Sequence, residues 1–555
     1  MIPRGMRRRS PARGIPRVAA RRVAACCVLL ALSAGAHACR SRPPAPSPRI
    51  PGVRLLLVVV IDQAGSDILD RARPLLHDGL RRLLDQGARF ENAFHEHAVT
   101  TTCPGHATLV TGVHPSHSGI VDNEWFDTLE NRTIYCVEDP HFGLSPAHLL
   151  ASGIGDWVKR RDSRAKVIAV GGKDRATIPM AGKTGDGAYW YNPHDGTFIG
   201  SPYYDHLDPA WLHHFNDPPF PDTFFGAAWE PLPVDPSVST ARAFVQLDQG
   251  VFRDRFPHAL GRPEIAPDSS FYEGFAASPF LDHATEQLAE RAITGEDLGA
   301  DDALDLLAVS FSALDSIGHA YGPNSLEALD TLLRLDTTLG DLLRFAEQRT
   351  GPTGLLVALS ADHGVMPLPE YLVATGQPAA REGPDDQACF RREWERVENE
   401  LGHDRWLRAN GVLDRKTLER NGVSETVVLE SIRNAIEECP TVARVRTRDD
   451  LRARGTAADS ETRLFRNSFH PERSPDFYIQ RRPFVLWTPG RGTSHGSAYE
   501  YDRKVPIVLL GPGIAPHAIR EPVATVDFAP TLAVLLGLPV EDRVDGVDRS
   551  ALVLP

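Results

Sequence analysis

Residues 54–63 read RLLLVVVIDQ. From Leu55 to Ile61 the run is apolar without alternation, rich in valine, and of strand rather than helix length. It predicts a β-strand buried on both faces. It stops at Asp62. The same pattern recurs. AKVIAV (165–170) ends just before GGKDR, which carries Lys173 and Arg175, and ALDLLAVSFSALDSIGH (303–319) runs into Asp315 and His319. GLLVALSADHG (354–364) places Asp362 and His363 directly past its apolar run, and KVPIVLLGPG (504–513) is a further such strand. Helical patterns alternate with these strands, as in SLEALDTLLRLDTTLGDLLRFAEQ (325–348), where apolar residues return every three or four positions. Alternating strands and helices predict an α/β fold: a mainly parallel central sheet with helices on both faces.

Two regions break the rhythm. Residues of about 185–300 are rich in Pro, Tyr, Trp and Phe, as in GAYWYNPHDGTFIGSPYYDHLDPAW, and residues of about 366–480 are charged and partly helical. Both read as inserted cap segments within one catalytic domain spanning 53–555. The sequence shows no internal repeat.

The chain has 555 residues, 42% hydrophobic and 24% charged, an ordinary globular composition. Residues 1–38 hold eight Arg, no Lys and no acid, so removing them from the formal net charge of −13 leaves −21 for the rest. A body that acidic disfavours non-specific nucleic-acid binding, so no nucleic-acid partner is expected. The arginines precede VAACCVLLALSAGAHA, a short apolar segment ending in small residues. That is a secretory signal over 1–38, too short for an ordinary membrane span. It implies export to the periplasm or beyond. Cys39 follows the A-x-A step and offers a site for a lipid anchor, although His37 fits a lipobox poorly. A Pro-rich linker, residues 39–52, comes next. Cys103, Cys136, Cys389 and Cys439 lie in the body, without the spacing of a cysteine zinc site. Export permits disulfides, and Cys389 with Cys439 is one pairing open to them.

The polar residues past the strand ends form a set. Ligands of open parallel sheets bind outside the carboxyl ends of the strands, and there stand Asp62, Asp315, His319, Asp362 and His363. His495, in GTSHGSAYEYD, joins them. Histidine and carboxylate without cysteine suit zinc in an open catalytic site. Six such ligands exceed one tetrahedral ion; two ions roughly 4 Å apart would clamp an in-line displacement at phosphorus. Any one His or Asp could instead be an ordinary turn or core residue; the repeated strand-end context selects these.

TTTCPGHATLVTG, residues 100–112, stacks three hydroxyls before a helix start. Helix capping would account for a lone Thr. A Thr beside the positive helix end and a two-metal site could also act as a nucleophile.

These motifs together resemble the alkaline phosphatase superfamily, and most closely the phosphate-irrepressible bacterial alkaline phosphatases, relatives of the nucleotide pyrophosphatase/phosphodiesterases. VVVIDQ, TTTCPGHATLVTGVHPSHSGIVDNEWFD, GGKDRATIPMAG, SALDSIGHAYGP, SADHGV, GTSHGSAYEYDRKVPIVLLGPG and VATVDFAPTLAVLLG carry the likeness, in order, from about 55 to 540. The resemblance implies an alkaline-phosphatase-like fold and a metal-dependent phosphomonoesterase. It picks Thr102 as nucleophile. It implies one zinc on Thr102, Asp62, Asp362 and His363, and a second on Asp315, His319 and His495. Asn123 and the Cys103 N–H would bind phosphoryl oxygens, and Lys173 and Arg175 would clamp the rest, favouring a monoester dianion. The implied reaction passes through a phosphothreonine on small phosphorylated substrates. A phosphodiesterase or nucleotide pyrophosphatase is the alternative, and a catalytically inactive zinc-binding scaffold a further one. A sulfatase is disfavoured: Thr102 occupies the slot of its modified Cys or Ser, and His106 stands where it has Arg.

Overall fold

A computed structural model describes residues 46–555 apart from 236–254, 265, 403–405, 454–458, 489–490 and 541–542. The signal segment 1–38, Cys39 and the first part of the linker lie outside the described residues. Among those described, no helix is long and apolar enough to cross a membrane.

Among the described residues, ten strands make the central sheet: β1 (Leu55–Ile61), β2 (Ala88–Phe94), β3 (Val167–Gly171), β4 (Gly187–Tyr191), β5 (Phe198–Gly200), β6 (Asp305–Phe311), β7 (Leu355–Ser360), β8 (Lys504–Leu510), β9 (His517–Ile519) and β10 (Val523–Ala524). Their order is β9-β2-β8-β7-β1-β6-β3-β4-β5, with β10 sharing the outer edge of β2. β7, β1, β6, β3 and β4 pair in parallel. The sheet is thus mainly parallel, as expected, with β8 and β5 antiparallel to their neighbours. Pro506 sits inside β8, where the register against β2 shifts between Val505 and Ile507. A residue without an N–H is tolerated at such an irregularity.

The first apolar run explains the layering. Leu55, Leu57, Val59 and Ile61 pack into one core. Leu56, Val58 and Val60 pack into the other. Successive side chains on a strand point to opposite faces, so a run apolar at every position feeds two cores. One face is covered by α1 (Gly79–Gln86), α5 (Phe280–Gly295) and α7 (Leu326–Thr350). The other is covered by α2 (Thr102–Thr111), α3 (Ile154–Arg161) and α10 (Phe528–Leu536). Between these in sequence come α4 (Asp174–Ala181), α6 (Ala313–Tyr321), α8 (Pro384–Leu401) and α9 (Glu425–Ile436).

The region of about 185–300, read as an insertion, contributes β4, β5 and α5 to the main sheet and its cover. The region of about 366–480 has an apolar cluster of its own, built from α8, α9 and the antiparallel pair Val442–Thr447 and Phe477–Arg481. A Cys389–Cys439 disulfide ties α8 to the end of α9 within that cluster, and a second disulfide joins Cys103 to Cys136.

Candidate active site

Asp362, Asp62, Asp315 and Lys173 follow β7, β1, β6 and β3, which are successive neighbours in the sheet. Their side chains therefore gather at one carboxyl edge. The antiparallel β8 begins at that same edge, because its Ile507 pairs with Ser360 at the end of β7. The loop entering β8 carries His495 there. β2 also ends at this edge and leads into α2 with Thr102. Gly105 lets α2 lie against β7: a Cβ on it would come within 2.2 Å of the Asp362 carbonyl oxygen.

All three expected histidines are oriented alike. Nδ1 of His363 donates to the Gly364 carbonyl at 3.0 Å, Nδ1 of His319 to Thr493 at 2.9 Å, and Nδ1 of His495 to Thr100 at 2.7 Å. A carbonyl can only accept, so a proton sits on Nδ1, and in the neutral ring the Nε2 lone pair is presented inward. Nε2 of His363 lies 3.4 Å from Asp62 Oδ1 and 3.3 Å from Asp362 Oδ2. Nε2 of His319 and of His495 lie 3.2 and 3.6 Å from Asp315 Oδ1. The His363 and His495 rings stack with centroids 3.6 Å apart.

Two ligand groups result. Asp62, Asp362 and His363 offer atoms all within 4.8 Å of one another, and so do Asp315, His363 and His495. His363 thus reaches both groups, and His319 stands beside Asp315 at the outer rim. Asp62 Oδ1, Asp362 Oδ2 and His363 Nε2 are buried without a hydrogen-bond partner. Orphaned lone pairs converging on one point, from O and N donors, fit a divalent cation such as zinc. Nδ1–carbonyl bonds of this kind are the usual support behind ligating imidazoles.

Charge crowding shows in the acidities. Burial, then the Asp315 and Asp362 carboxylates, push Asp62 up. Asp315 is held down despite burial by Lys173 and then His319, and in turn raises the pKa of His319. Burial keeps His363 and His495 low, hence neutral and able to ligate. Lys173 Nζ lies 2.5 Å from both Asp62 Oδ2 and Asp315 Oδ2, between the two groups, and these carboxylates hold its pKa up against burial.

The threonines separate cleanly. Thr100 gives its hydroxyl to the Ser497 carbonyl and Thr101 gives its to Asp122. Thr101 is the cap residue of α2 yet makes no side-chain cap bond, so capping does not explain the run. Thr102 is buried at the first helical position. The Cys103 N–H, expected on a phosphoryl oxygen, is instead donated to Asn123 Oδ1 at 2.9 Å. Asn123 caps α2 from another segment and keeps its Nδ2 end for a further acceptor. Arg175 reaches the Tyr135 hydroxyl at 3.5 Å, Tyr135 donates to Asp174 at 2.5 Å, and Arg175 Nε is buried without a partner. Asn123, Arg175 and His495 line a cavity of about 670 Å³, with Tyr135 and Trp487 on its walls.

Two residues inside the quoted motifs have structural roles that the sequence does not assign. His106 is fully buried; its Nδ1 donates to the Thr102 carbonyl and its Nε2 accepts from Ser310, which ties the helix start to β6. Gln63 follows Asp62 in the left-handed region, φ 70°, rare for a residue other than glycine. The motifs hold both residues, but their partners come from distant segments.

Residues 56–499 match the family described as type I phosphodiesterase / nucleotide pyrophosphatase. The chain is 30% identical to alkaline phosphatase PhoV of Synechococcus elongatus, covering 87% of this chain and 90% of that one. It is 28% identical to alkaline phosphatase PafA of Elizabethkingia meningoseptica, covering 88% and 92%. A crystal structure of wild-type PafA superposes with a TM-score of 0.80 at 26% identity, covering 92% of this chain and all of that one. A second PafA structure, a variant altered at one threonine, one asparagine, one lysine and one arginine, superposes with a TM-score of 0.81.

Proposed function

Because this chain belongs to the type I phosphodiesterase / nucleotide pyrophosphatase family, within the alkaline phosphatase superfamily, we propose that it hydrolyses phosphate monoesters outside the cytoplasm through a phosphothreonine on Thr102. It is a hydrolase of the alkaline phosphatase type. The observation that carries the reading is the convergence of six His and Asp side chains, each His aimed by an Nδ1–carbonyl bond, beside the N-terminus of a helix that begins with Thr102.

Two zinc ions are the proposed cofactors, one on Asp62, Asp362, His363 and Thr102, the other on Asp315, His319 and His495. When bound, they would lower the hydroxyl pKa of the nucleophile and neutralise charge on the leaving oxygen. The remaining work belongs to the chain. Thr102 Oγ attacks phosphorus in line, a P–O bond forms to threonine, and the bond to the leaving oxygen breaks. Asn123, held by the Cys103 N–H, offers Nδ2 to one non-bridging oxygen. Arg175, with its unpartnered Nε, offers a charged fork to another. Lys173, between the ligand groups, meets the third. Water then attacks phosphorus, the bond to Thr102 Oγ breaks, inorganic phosphate leaves, and the threonine hydroxyl takes back a proton.

The four residue types altered in the PafA variant support this choice. There the threonine and asparagine stand twenty-one positions apart, and the lysine and arginine two apart. Thr102 and Asn123, and Lys173 and Arg175, have the same separations. Two fixed cations favour a dianionic monoester over a singly charged diester. The diesterase reading rests on the family's own description. Rates on a monoester and a diester, with one preparation of known metal content, test the choice: faster diester cleavage would overturn it. A lipid anchor on Cys39 and periplasmic residence belong to the same proposal, and the mass of the mature N-terminus tests them.

A further inference from the structure

Gln63 touches both ligand groups. Its backbone N–H donates to Asp362 Oδ1 at 3.1 Å. Its side-chain Nε2 donates to Asp315 Oδ1 at 2.6 Å. Asp362 belongs to one group and Asp315 to the other. The residue is buried, and its backbone stays at φ 70° although it has a side chain. Backbone held in a sparsely populated region persists where the surroundings over-determine it, and such places cluster at functional sites.

An independent feature points the same way. Gly318 lies on α6, between Asp315 and His319. A Cβ there would stand 1.8 Å from Gln63 Oε1 and 2.9 Å from its Cδ. The helix that carries two of the expected ligands is therefore notched to receive this one amide. The chemistry suits the place. An amide satisfies carboxylate lone pairs without adding positive charge, so it orients the ligands and leaves their charge for cations.

Resting on the two-metal reading above, we infer that Gln63 is a positioning residue that sets the spacing between the two ligand groups, seated in a socket made by Gly318. It touches neither substrate nor the reacting atoms; it acts through Asp315 and Asp362.

The test uses the full mature protein with zinc as the probe. Zinc affinity by competition with a chromophoric chelator, kcat and KM on a monoester, and the melting temperature of the zinc-free protein are measured for Gln63→Ala, Gly318→Ala and the double variant. Each single change should weaken zinc binding or kcat by about 10–100-fold, the usual effect of removing a partner behind a metal ligand. KM and the zinc-free melting temperature should stay near wild type. The double variant should be no worse than Gln63→Ala alone, because the methyl then meets no amide. If losing the side chain lowers the zinc-free melting temperature, Gln63→Glu keeps the length and replaces the donor with an oxygen facing Asp315; it should show the same zinc loss. Wild-type zinc affinity and kcat in Gln63→Ala, or singles that multiply in the double variant, would overturn the inference and leave the two-metal reading standing. A wild-type protein that binds no zinc and turns nothing over would instead remove that reading itself.

Discussion

Cys103 fixes Asn123 through its backbone: the Cys103 N–H donates to Asn123 Oδ1 at 2.9 Å, one residue past the proposed nucleophile. The other end of the same bracket is covalent. Cys103 is disulfide-bonded to Cys136, whose N–H donates to the Asn123 carbonyl at 2.9 Å. The amide is thus held by both halves of one disulfide, and its donor end is left for substrate.

Asn123→Ala should therefore lower monoester kcat/KM by on the order of 10²–10³, the cost of losing one preorganised donor to a developing charge. Replacing Cys103 and Cys136 together with Ala should cost stability as well, about 4 kcal/mol for a loop of this size. Denaturant unfolding beside steady-state rates separates the two. A disulfide-free protein with full activity would show that the bracket does not position Asn123.

Arg175→Ala should reduce monoester kcat/KM far more than diester kcat/KM, by about 2–4 kcal/mol of transition-state stabilisation. Lys173→Ala should do likewise. Because Lys173 also neutralises Asp62 and Asp315, its removal should leave zinc binding intact or tighter. Equal losses on both ester classes, with zinc lost, would make Lys173 a structural cation.

Asp282 links stability to pH. Its Oδ1 accepts from the N–H groups of Ser312 and Ala313 and so anchors the start of α6. Burial pushes its carboxyl up to about 7, with those bonds opposing. A folded pKa above the unfolded one means that the native state holds the proton more tightly. The group's contribution is then fullest below the unfolded pKa and falls as pH rises to about 7, by up to about 1.4 kcal/mol per unit. Asp282→Asn keeps the acceptor and should flatten that part of the profile. Thermal midpoints of both proteins from pH 4 to 8, if parallel, would contradict it.

Much of this was legible in the sequence, for a physical reason. A strand buried on both faces must be apolar at every position, so Leu55–Ile61 and Leu355–Ser360 announce themselves, and polar residues at their ends stand out. The direction of β8 was not legible, because pairing sense depends on which strand it meets. Nor were the bonds that select among Thr100, Thr101 and Thr102: their partners, Ser497 and Asp122, lie far off along the chain or in another segment. Cys389–Cys439 was one open pairing, whereas Cys103–Cys136 needs the fold-back of the hairpin Glu124–Tyr135 to bring its ends together. Gln63 and His106 lie within the quoted motifs, but their contacts with Asp315 and Ser310 come only from the fold.

The central claim is a covalent phosphate on Thr102. Wild-type protein mixed with excess monoester, quenched in acid within its first turnovers and digested, should yield the peptide carrying Thr102 with one phosphate on that residue, and Thr102→Ala should yield none and lose turnover. A phosphate-free peptide from an actively turning-over enzyme, or a Thr102→Ala protein that hydrolyses the ester at the wild-type rate, would contradict it.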